Sequence, residues 1–355
     1  MRLEVELVKN ARACGMRVLG PNRLGVHNAR AWVDTIFNPG DRRSKLSPGS
    51  VAFLSQSGAL GAAPLDWLAE AGIEMSKFVS YGNAVDIKEW ELIECLARDE
   101  TSRMISLYVE GVENRRELLS SLKKAVTAGE PVVVLKGGRT PTGVKVAVSH
   151  TGVLSSSVEV LLQAVKQAGA IAVDSVSDTV GVLKILEWLE PPKGRSIAIV
   201  TNGGGVRVSA VDTVEAEGLK MAVLLKETIE GLRRALPSET STPNHTDILG
   251  DMPPERYGVA IDLVVNDINV DSVLIITLAR SPAFDPHKFV ELLLDVRNKT
   301  TKPMVSVAQG GEYTKKHAKT MERKLRVLYF KSGGGGKSSQ TMRREVRKEN
   351  KGDTV

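Results

Sequence analysis

From Ser47 onward the chain alternates short, mostly apolar runs with longer segments whose apolar residues recur every three or four positions. The runs are Val51–Leu54, Lys77–Tyr81, Met104–Val109, Val132–Leu135 and Ala170–Val173. Helical spacing covers the stretch after Ser57 through Glu70, then Asp86–Arg98, Asn114–Ala128, Ser155–Ala168 and Val176–Leu189. A strand with one wet face alternates apolar and polar residues, whereas a strand covered on both faces is apolar throughout. Five such strands alternating with five helices predict a doubly wound α/β domain. Glu190–Gly194, with two prolines, reads as a linker. The alternation then restarts, with strands predicted at Ile197–Val200, Lys220–Leu225, Ser272–Leu278, Met304–Val307 and Arg326–Phe330. Helices are predicted through Glu217, from Glu227, and over Glu255–Asn266, Pro286–Asn298 and Glu312–Lys324, with a long polar loop at Pro237–Asp251. The expected fold class is therefore α/β, with two consecutive doubly wound, flavodoxin-like parallel-sheet domains.

The two ends read differently. Leu3–Gly15 has the spacing of one amphipathic helix, and a short strand at Met16–Leu19 runs into the turn Gly20-Pro21-Asn22. An irregular piece rich in Asn, Arg and Pro follows. One helix and one strand cannot bury a core, so residues 1–45 are expected to close a domain whose beginning is absent, or to pack on the next domain. Domains are thus expected at 46–190 and 191–330. Residues 331–355 are Gly/Ser-rich and then basic, a composition that stays disordered. Within that tail Gly333–Ser338 imitates a phosphate-binding P-loop, but Lys331 stands where the loop's first glycine is needed.

Composition narrows the function classes. The 355 residues carry a net charge of +6, but the tail alone has seven Lys/Arg against three Asp/Glu. The rest of the chain is nearly balanced, and aromatic residues make up 4%, too few for a nucleic-acid stacking surface. Cys14 and Cys95 follow no metal or disulfide spacing, which fits a reducing compartment. No signal peptide or membrane-length apolar run is visible, so a cytoplasmic protein with no membrane contact is expected.

Several strand ends carry candidate chemistry. Ser55-Gln56-Ser57-Gly58 and Thr201-Asn202-Gly203-Gly204-Gly205 each leave an apolar strand and open a helix. The first amides of a helix have no intrahelical acceptor, so such turns suit anions; the bland alternatives are an N-cap and a tight turn. His150 lies in Ala147–Ser157, a run of small hydroxyl residues and glycine. A loop histidine near neutral pH can act as base, ligand or nucleophile, or be an ordinary surface residue. Two anion turns and this histidine suggest one phosphate held between two helix ends, with a phosphoryl group on the imidazole. Glu110, at the end of the third strand, can orient one ring nitrogen and leave the other as nucleophile; the alternative is a solvated loop glutamate. Gly82-Asn83 with Asp86 reads as a site loop or as a turn and helix cap. Lys136 reads as a phosphate partner or an exposed charge.

Taken in order, S-Q-S-G-A-L, G-N-x-x-D, Y-V-E-G, L-K-G-G-R, S-H-T-G, T-N-G-G-G and D-I-L-G-D make the chain resemble the α chain of ADP-forming acetyl-CoA synthetases over about residues 10–330. More distantly it resembles the succinyl-CoA synthetases. The resemblance implies that His150 is transiently phosphorylated, that Glu110 is its partner carboxylate, and that Ser55, Ser57, Gly58, Gly203, Gly204 and Gly205 hold the phosphate. It implies that Gly20, Pro21 and Asn22 end a Rossmann-like CoA-binding domain, and that these three, Asn83 and Lys136 are candidates for substrate or CoA contacts. Arg23 stands where the family usually has Cys, His245 where it usually has Pro, and Val153-Leu-Ser-Ser follows S-H-T-G in place of Ser-Leu-Ala-Gly.

The implied reaction interconverts acyl-CoA, phosphate and ADP with carboxylic acid, CoA and ATP. CoA and a small carboxylic acid would bind here. The ADP/ATP with its Mg²⁺ would sit on an ATP-grasp partner domain or β subunit, making a hetero-oligomer; no metal ligand cluster is read in this chain. The alternatives are a regulatory acyl-CoA-binding module, as in acetyltransferase fusions, and an incomplete, inactive fragment.

Overall fold

The computed structural model describes residues 2–39, 44, 47–138, 158–309, 314 and 328–330. The loop around His150, all of the helix expected over Glu312–Lys324 except Thr314, and the basic tail lie outside them. The chain separates into two compact units, Met1–Glu187 and Trp188–Val355.

The first unit starts with helix α1 (Arg2–Ala13) and the strands β1 (Val26–Asn28) and β2 (Val33–Asp34). Then come β3 (Pro48–Ser55), α2 (Ala59–Glu70), β4 (Met75–Ser80), α3 (Glu89–Leu96), β5 (Met104–Val109) and α4 (Arg115–Thr127). β6 (Val132–Lys136), α5 (Val158–Gln167), β7 (Ile171–Val173) and α6 (Val176–Trp188) follow. The sheet order is β2-β1-β4-β3-β5-β6-β7. Its five parallel strands, numbered as they occur, lie 2-1-3-4-5, the flavodoxin-like order.

The apolar runs behave as both-face strands. Ala52, Leu54, Ile105 and Leu107 join α3, α4 and α5 through Ile93, Leu118, Leu122 and Leu161. Their neighbours Val51, Phe53 and Met104 join α2 and α6 through Leu65, Leu68, Val182 and Leu183 on the other face. Burying a Leu- or Val-sized side chain stabilises by about 1.5–3 kcal/mol, so an apolar residue at every strand position strengthens both layers.

Three expectations fail near the front of the chain. Met16–Leu19 is not a strand: Val18 gives its N–H to the Asp86 carboxylate at 2.8 Å and accepts from the Ile87 N–H, with no ladder beside it. The stretch read as irregular forms instead the hairpin β1–β2, which extends the sheet antiparallel from β4, His27 facing Phe78. And α3 begins at Glu89, not Asp86, because Asp86 is drawn toward residues 12–18.

The second unit runs β8 (Ser196–Thr201), α7 (Gly204–Ala216), β9 (Lys220–Met221), α8 (Lys226–Ala235), β10 (Thr246–Asp247), α9 (Pro254–Val265), β11 (Ser272–Leu278), α10 (Pro286–Arg297), β12 (Met304–Gln309) and β13 (Leu328–Phe330). The order is β10-β8-β11-β12-β13, all parallel, with β9 also on β8. The strand predicted over Lys220–Leu225 shrinks to two residues, and the polar loop hides β10. Both pair with one side of β8, β9 at its start and β10 at its end. Asn244 fills the gap between them: its Oδ1 accepts from the Ile199 N–H, and its Nδ2 donates to the Ile197 and Ala222 carbonyls. A side-chain amide thus completes a ladder that the backbone leaves open.

Candidate functional site

In a sheet ordered 2-1-3-4-5 the chain leaves the first strand toward one side and later returns to the other. The crevice at the carboxyl ends of strands one and three is where such folds bind ligands. In the first unit these strands are β3 and β5, which end at Ser55-Gln56-Ser57 and Tyr108-Val109-Glu110-Gly111.

Gln56 joins the two strand ends. Its backbone N–H donates to the Tyr108 carbonyl, and its Oε1 accepts from the Glu110 N–H at 2.6 Å and the Gly111 N–H at 3.0 Å. It is 3% exposed. Glu110, itself buried, accepts at Oε1 from the Tyr108 hydroxyl at 3.2 Å, and its carbonyl accepts from Lys136 Nζ at 2.6 Å. Burial pushes the Tyr108 phenol up, and the adjacent Glu110 charge and hydrogen bond push the same way, so Tyr108 remains a proton donor to that carboxylate. The Tyr81 hydroxyl donates to the Tyr108 carbonyl from below.

Lys136 is neither an exposed charge nor a free arm. It is buried, with Nζ donating to the Glu110 and Gly137 carbonyls. Burial lowers its ammonium pKa, against the pull of Glu110. Gly137 is required where it stands, because a Cβ there would lie 2.2 Å from the Tyr108 hydroxyl oxygen.

Of the residues expected to hold phosphate, Ser55 is fully buried and its hydroxyl donates to the Ser57 carbonyl at 2.7 Å, which closes the turn. Ser57 is buried beside it. Gly58 caps α2 and Gly203 caps α7, in both cases without a side-chain hydrogen bond. By contrast Asn114 caps α4 and Asp285 caps α10 through their side chains. Leu225 and Pro253 also open helices without a side-chain cap, so position at a strand crossover, not lack of a cap, singles out α2 and α7. Gly58, Gly204 and Gly205 have no left-handed backbone, and among the described residues a Cβ on any of them would meet nothing closer than 3.8 Å, so packing against those residues does not demand glycine there.

Gly20, Pro21, Asn22 and Asn83 are brought together. The Asn83 N–H donates to the Pro21 carbonyl, the Val85 N–H to the Gly20 carbonyl, and Asn22 Nδ2 lies 3.3 Å from Asn83 Oδ1. Gly82 has φ +56°, and a Cβ there would meet the Pro21 carbonyl oxygen at 2.1 Å. Asp86 anchors the same segment, accepting from Arg12, Arg17 and the Val18 N–H. Its burial alone would raise the carboxyl pKa; the three donors outweigh this and hold it well below the carboxylate range. The reading of Asp86 as a helix cap is therefore corrected: the N-cap of α3 is Lys88. His150 lies outside the described residues.

Sequence reasoning missed Gln56 and Asp86 as positioning groups. A glutamine inside a serine-rich turn was the available signal for the first; the Gly82-Asn83 turn drew attention to Asp86, but nothing local pointed to its distant partners Arg12 and Arg17.

Two family descriptions match, a succinyl-CoA ligase like flavodoxin domain over residues 48–186 and a ligase-CoA domain over 197–328. The chain is 33% identical to the α subunit of ADP-forming acetate–CoA ligase II of Pyrococcus furiosus, over 91% of this chain and 70% of the relative. The chain belongs to the ADP-forming acetate–CoA ligase family. It is also 36% identical to ADP-forming acetate–CoA ligase I of Archaeoglobus fulgidus, over 88% of this chain but 43% of that protein. It therefore spans less than half of one ligase relative and about 70% of the other. A solved structure of dinucleotide-forming acetyl-coenzyme A synthetase 1 of Ca. Korarchaeum cryptofilum, in complex with phosphate and ADP, matches with TM-score 0.88 and 29% identity. That match covers 100% of this chain and 76% of the ligase chain. Among the described residues no helix is long and apolar enough to cross a membrane, and no group of three or more His, Cys, Asp or Glu could hold a metal ion.

Proposed function

We propose that this chain is the α-type part of an ADP-forming acyl-CoA ligase and carries the transferred phosphoryl group on His150. Phosphate attacks the acyl carbonyl of acyl-CoA, releasing CoA thiol and leaving an acyl phosphate. An imidazole nitrogen of His150 then attacks phosphorus, and the carboxylate departs. ADP finally takes the phosphoryl group from the histidine, giving ATP. Neutral imidazole is the nucleophile, so a carboxylate that holds the proton on the other ring nitrogen favours attack. Glu110 is suited to that role. The turn opening α2 supplies amide donors to the phosphoryl oxygens. Gly20, Pro21 and Asn22 would contact CoA, and the nucleotide with its Mg²⁺ would come on an ATP-grasp partner.

The observation that carries the reading is the fixing of Glu110 at the strand crossover by Gln56, Tyr108 and Lys136. A carboxylate so constrained is built for orientation. Family membership supports it, as does the phosphate and ADP in the Korarchaeum relative. The test is mass spectrometry of the full chain after incubation with acetyl phosphate, which bypasses the CoA step. An acid-labile phosphate on His150, absent from His150→Ala and reduced at least tenfold in Glu110→Gln, is expected. A folded chain that acquires none would remove this function.

A further inference from the structure

We propose that the amino-end face of the second sheet is a docking surface for an acidic protein segment that presents aliphatic side chains. The face lies at the opposite end of the strands from Thr201–Gly205, and the proposal does not depend on the phosphoryl reading above.

Val223 and Leu225 lie in the link from β9 to α8, and Ile268 lies in the link from α9 to β11. They are 80%, 38% and 81% exposed. Two hydrogen bonds hold the links together. Asn269 Nδ2 donates to the Val223 carbonyl at 2.8 Å, and the Leu225 N–H donates to Asp267 Oδ2 at 2.7 Å. Asp267 is buried; its Oδ1 also accepts from the Asn269 N–H at 2.9 Å, and its carbonyl from Lys302 Nζ at 2.7 Å. Scattered exposed aliphatics are ordinary, but here three are drawn into one patch on loops fixed by their own hydrogen bonds. A fixed patch loses little freedom when a partner covers it.

The rim of the patch is cationic. Lys226 adjoins Leu225 and is exposed, and Lys302 is tied to Asp267 beside Ile268. Burial lowers the Lys302 pKa, Asp267 and Asp271 oppose this, and nearby Lys193 lowers it again. The acids of these links are turned inward, Asp267 as described and Asp271 onto the Ser196 N–H at 2.8 Å; Glu227 is the exposed exception. An apolar centre with a charged rim is the layout of protein interfaces. Rims of one sign would repel a second copy of this chain. None of the three apolar residues is aromatic, whereas membrane surfaces favour Trp and Tyr. A negatively charged protein segment fits both the centre and the rim.

Local sequence points to a use other than folding. Leu225 is the N-cap of α8 without a side-chain hydrogen bond, and Lys226 puts positive charge on the first turn. A helix start favours Ser, Thr, Asp or Asn, followed by acids, so both residues cost stability where they stand. Local rules are broken in this way where binding uses the residues.

The experiment is a fluorescence-anisotropy titration of the full-length chain against a labelled acidic peptide of about 15 residues, with leucine at helical spacing and glutamate between. The same peptide with lysine for glutamate is the control. The acidic peptide is expected to bind at least about tenfold more tightly than the basic one, and to weaken in about 0.5 M salt. Ile268→Ser and Lys226→Glu are each expected to weaken it about tenfold. Lys226→Glu should at the same time raise the thermal midpoint, because the new charge suits the helix end. Weaker binding beside higher stability is the signature. A chain that binds neither peptide, or binds both alike whatever stands at positions 226 and 268, overturns the proposal. So does dimerisation of the parent that Ile268→Ser abolishes, which makes a second copy the occupant. Ile268-dependent binding to phosphatidylcholine vesicles with about 30% phosphatidylserine, in place of the peptide, overturns it in favour of a membrane. If Ile268→Ser does not fold, Val223→Ser decides, with the same loss expected and unchanged affinity refuting.

Discussion

Replacing Gln56 by leucine isolates the contact that fixes Glu110. Leucine is apolar, one atom shorter and has no acceptor, so the N–H groups of Glu110 and Gly111 lose partners now at 2.6 and 3.0 Å. Both residues are buried, and water cannot take over without opening the strand ends. Each orphaned buried donor costs about 1–3 kcal/mol. Burial of the added apolar surface offsets roughly 1–2 kcal/mol of the combined loss. A net loss of about 2–4 kcal/mol is expected in the unfolding of the first unit. Urea denaturation reads it as a lower midpoint with an unchanged slope. Gln56→Glu supplies the control: near about pH 5, where burial keeps a carboxyl protonated, it again offers a carbonyl acceptor and recovers most of the loss. If Gln56→Leu unfolds within about 0.5 kcal/mol of the parent, the turn does not depend on this amide and the account of how Glu110 is positioned is wrong.

Two further perturbations probe the same unit. Burial pushes the Glu89 carboxyl from its ordinary 4.5 up to about 7, and its Oε1 has no hydrogen-bond partner. Because the folded-state value is raised, the stability it contributes is complete below pH 4.5 and is lost as pH rises through about 7. That loss is on the order of 3 kcal/mol, so Glu89→Gln should match the parent near about pH 4 and exceed it near about pH 9. Urea midpoints that run parallel for the two proteins across this range would refute it. Asp86 has the opposite sign: its pKa is depressed, so its contribution is present above the ordinary carboxylate range and fades as pH falls. Arg12 and Arg17 are about half exposed, so solvent screening limits what the pairing contributes. Asp86→Asn should therefore raise trypsin cleavage after Arg12 and Arg17 about tenfold at neutral pH, and an unchanged digestion rate counts against Asp86 as the anchor of this segment.

The hydrophobic pattern by itself determined the parallel strands and the helices between them. A strand that must be apolar on both faces carries no period of two, and Val51–Leu54 or Val132–Leu135 cannot be satisfied any other way. Turn chemistry likewise placed Gly58 and Gly203 at helix starts, because that signal is local. Tertiary structure decided everything whose cause lies far along the chain. β1 and β2 are too short and too polar to announce themselves, and they exist because β4 offers an open edge. β10 exists because Asn244 and the end of β8 hold it. The roles of Gln56, Asp86 and Lys136 are set by partners 54, 69 and 26 residues away, at Glu110, Arg17 and Glu110 respectively. Local sequence carries propensity and periodicity; which buried donor meets which acceptor is fixed only when the sheet order brings distant strand ends side by side.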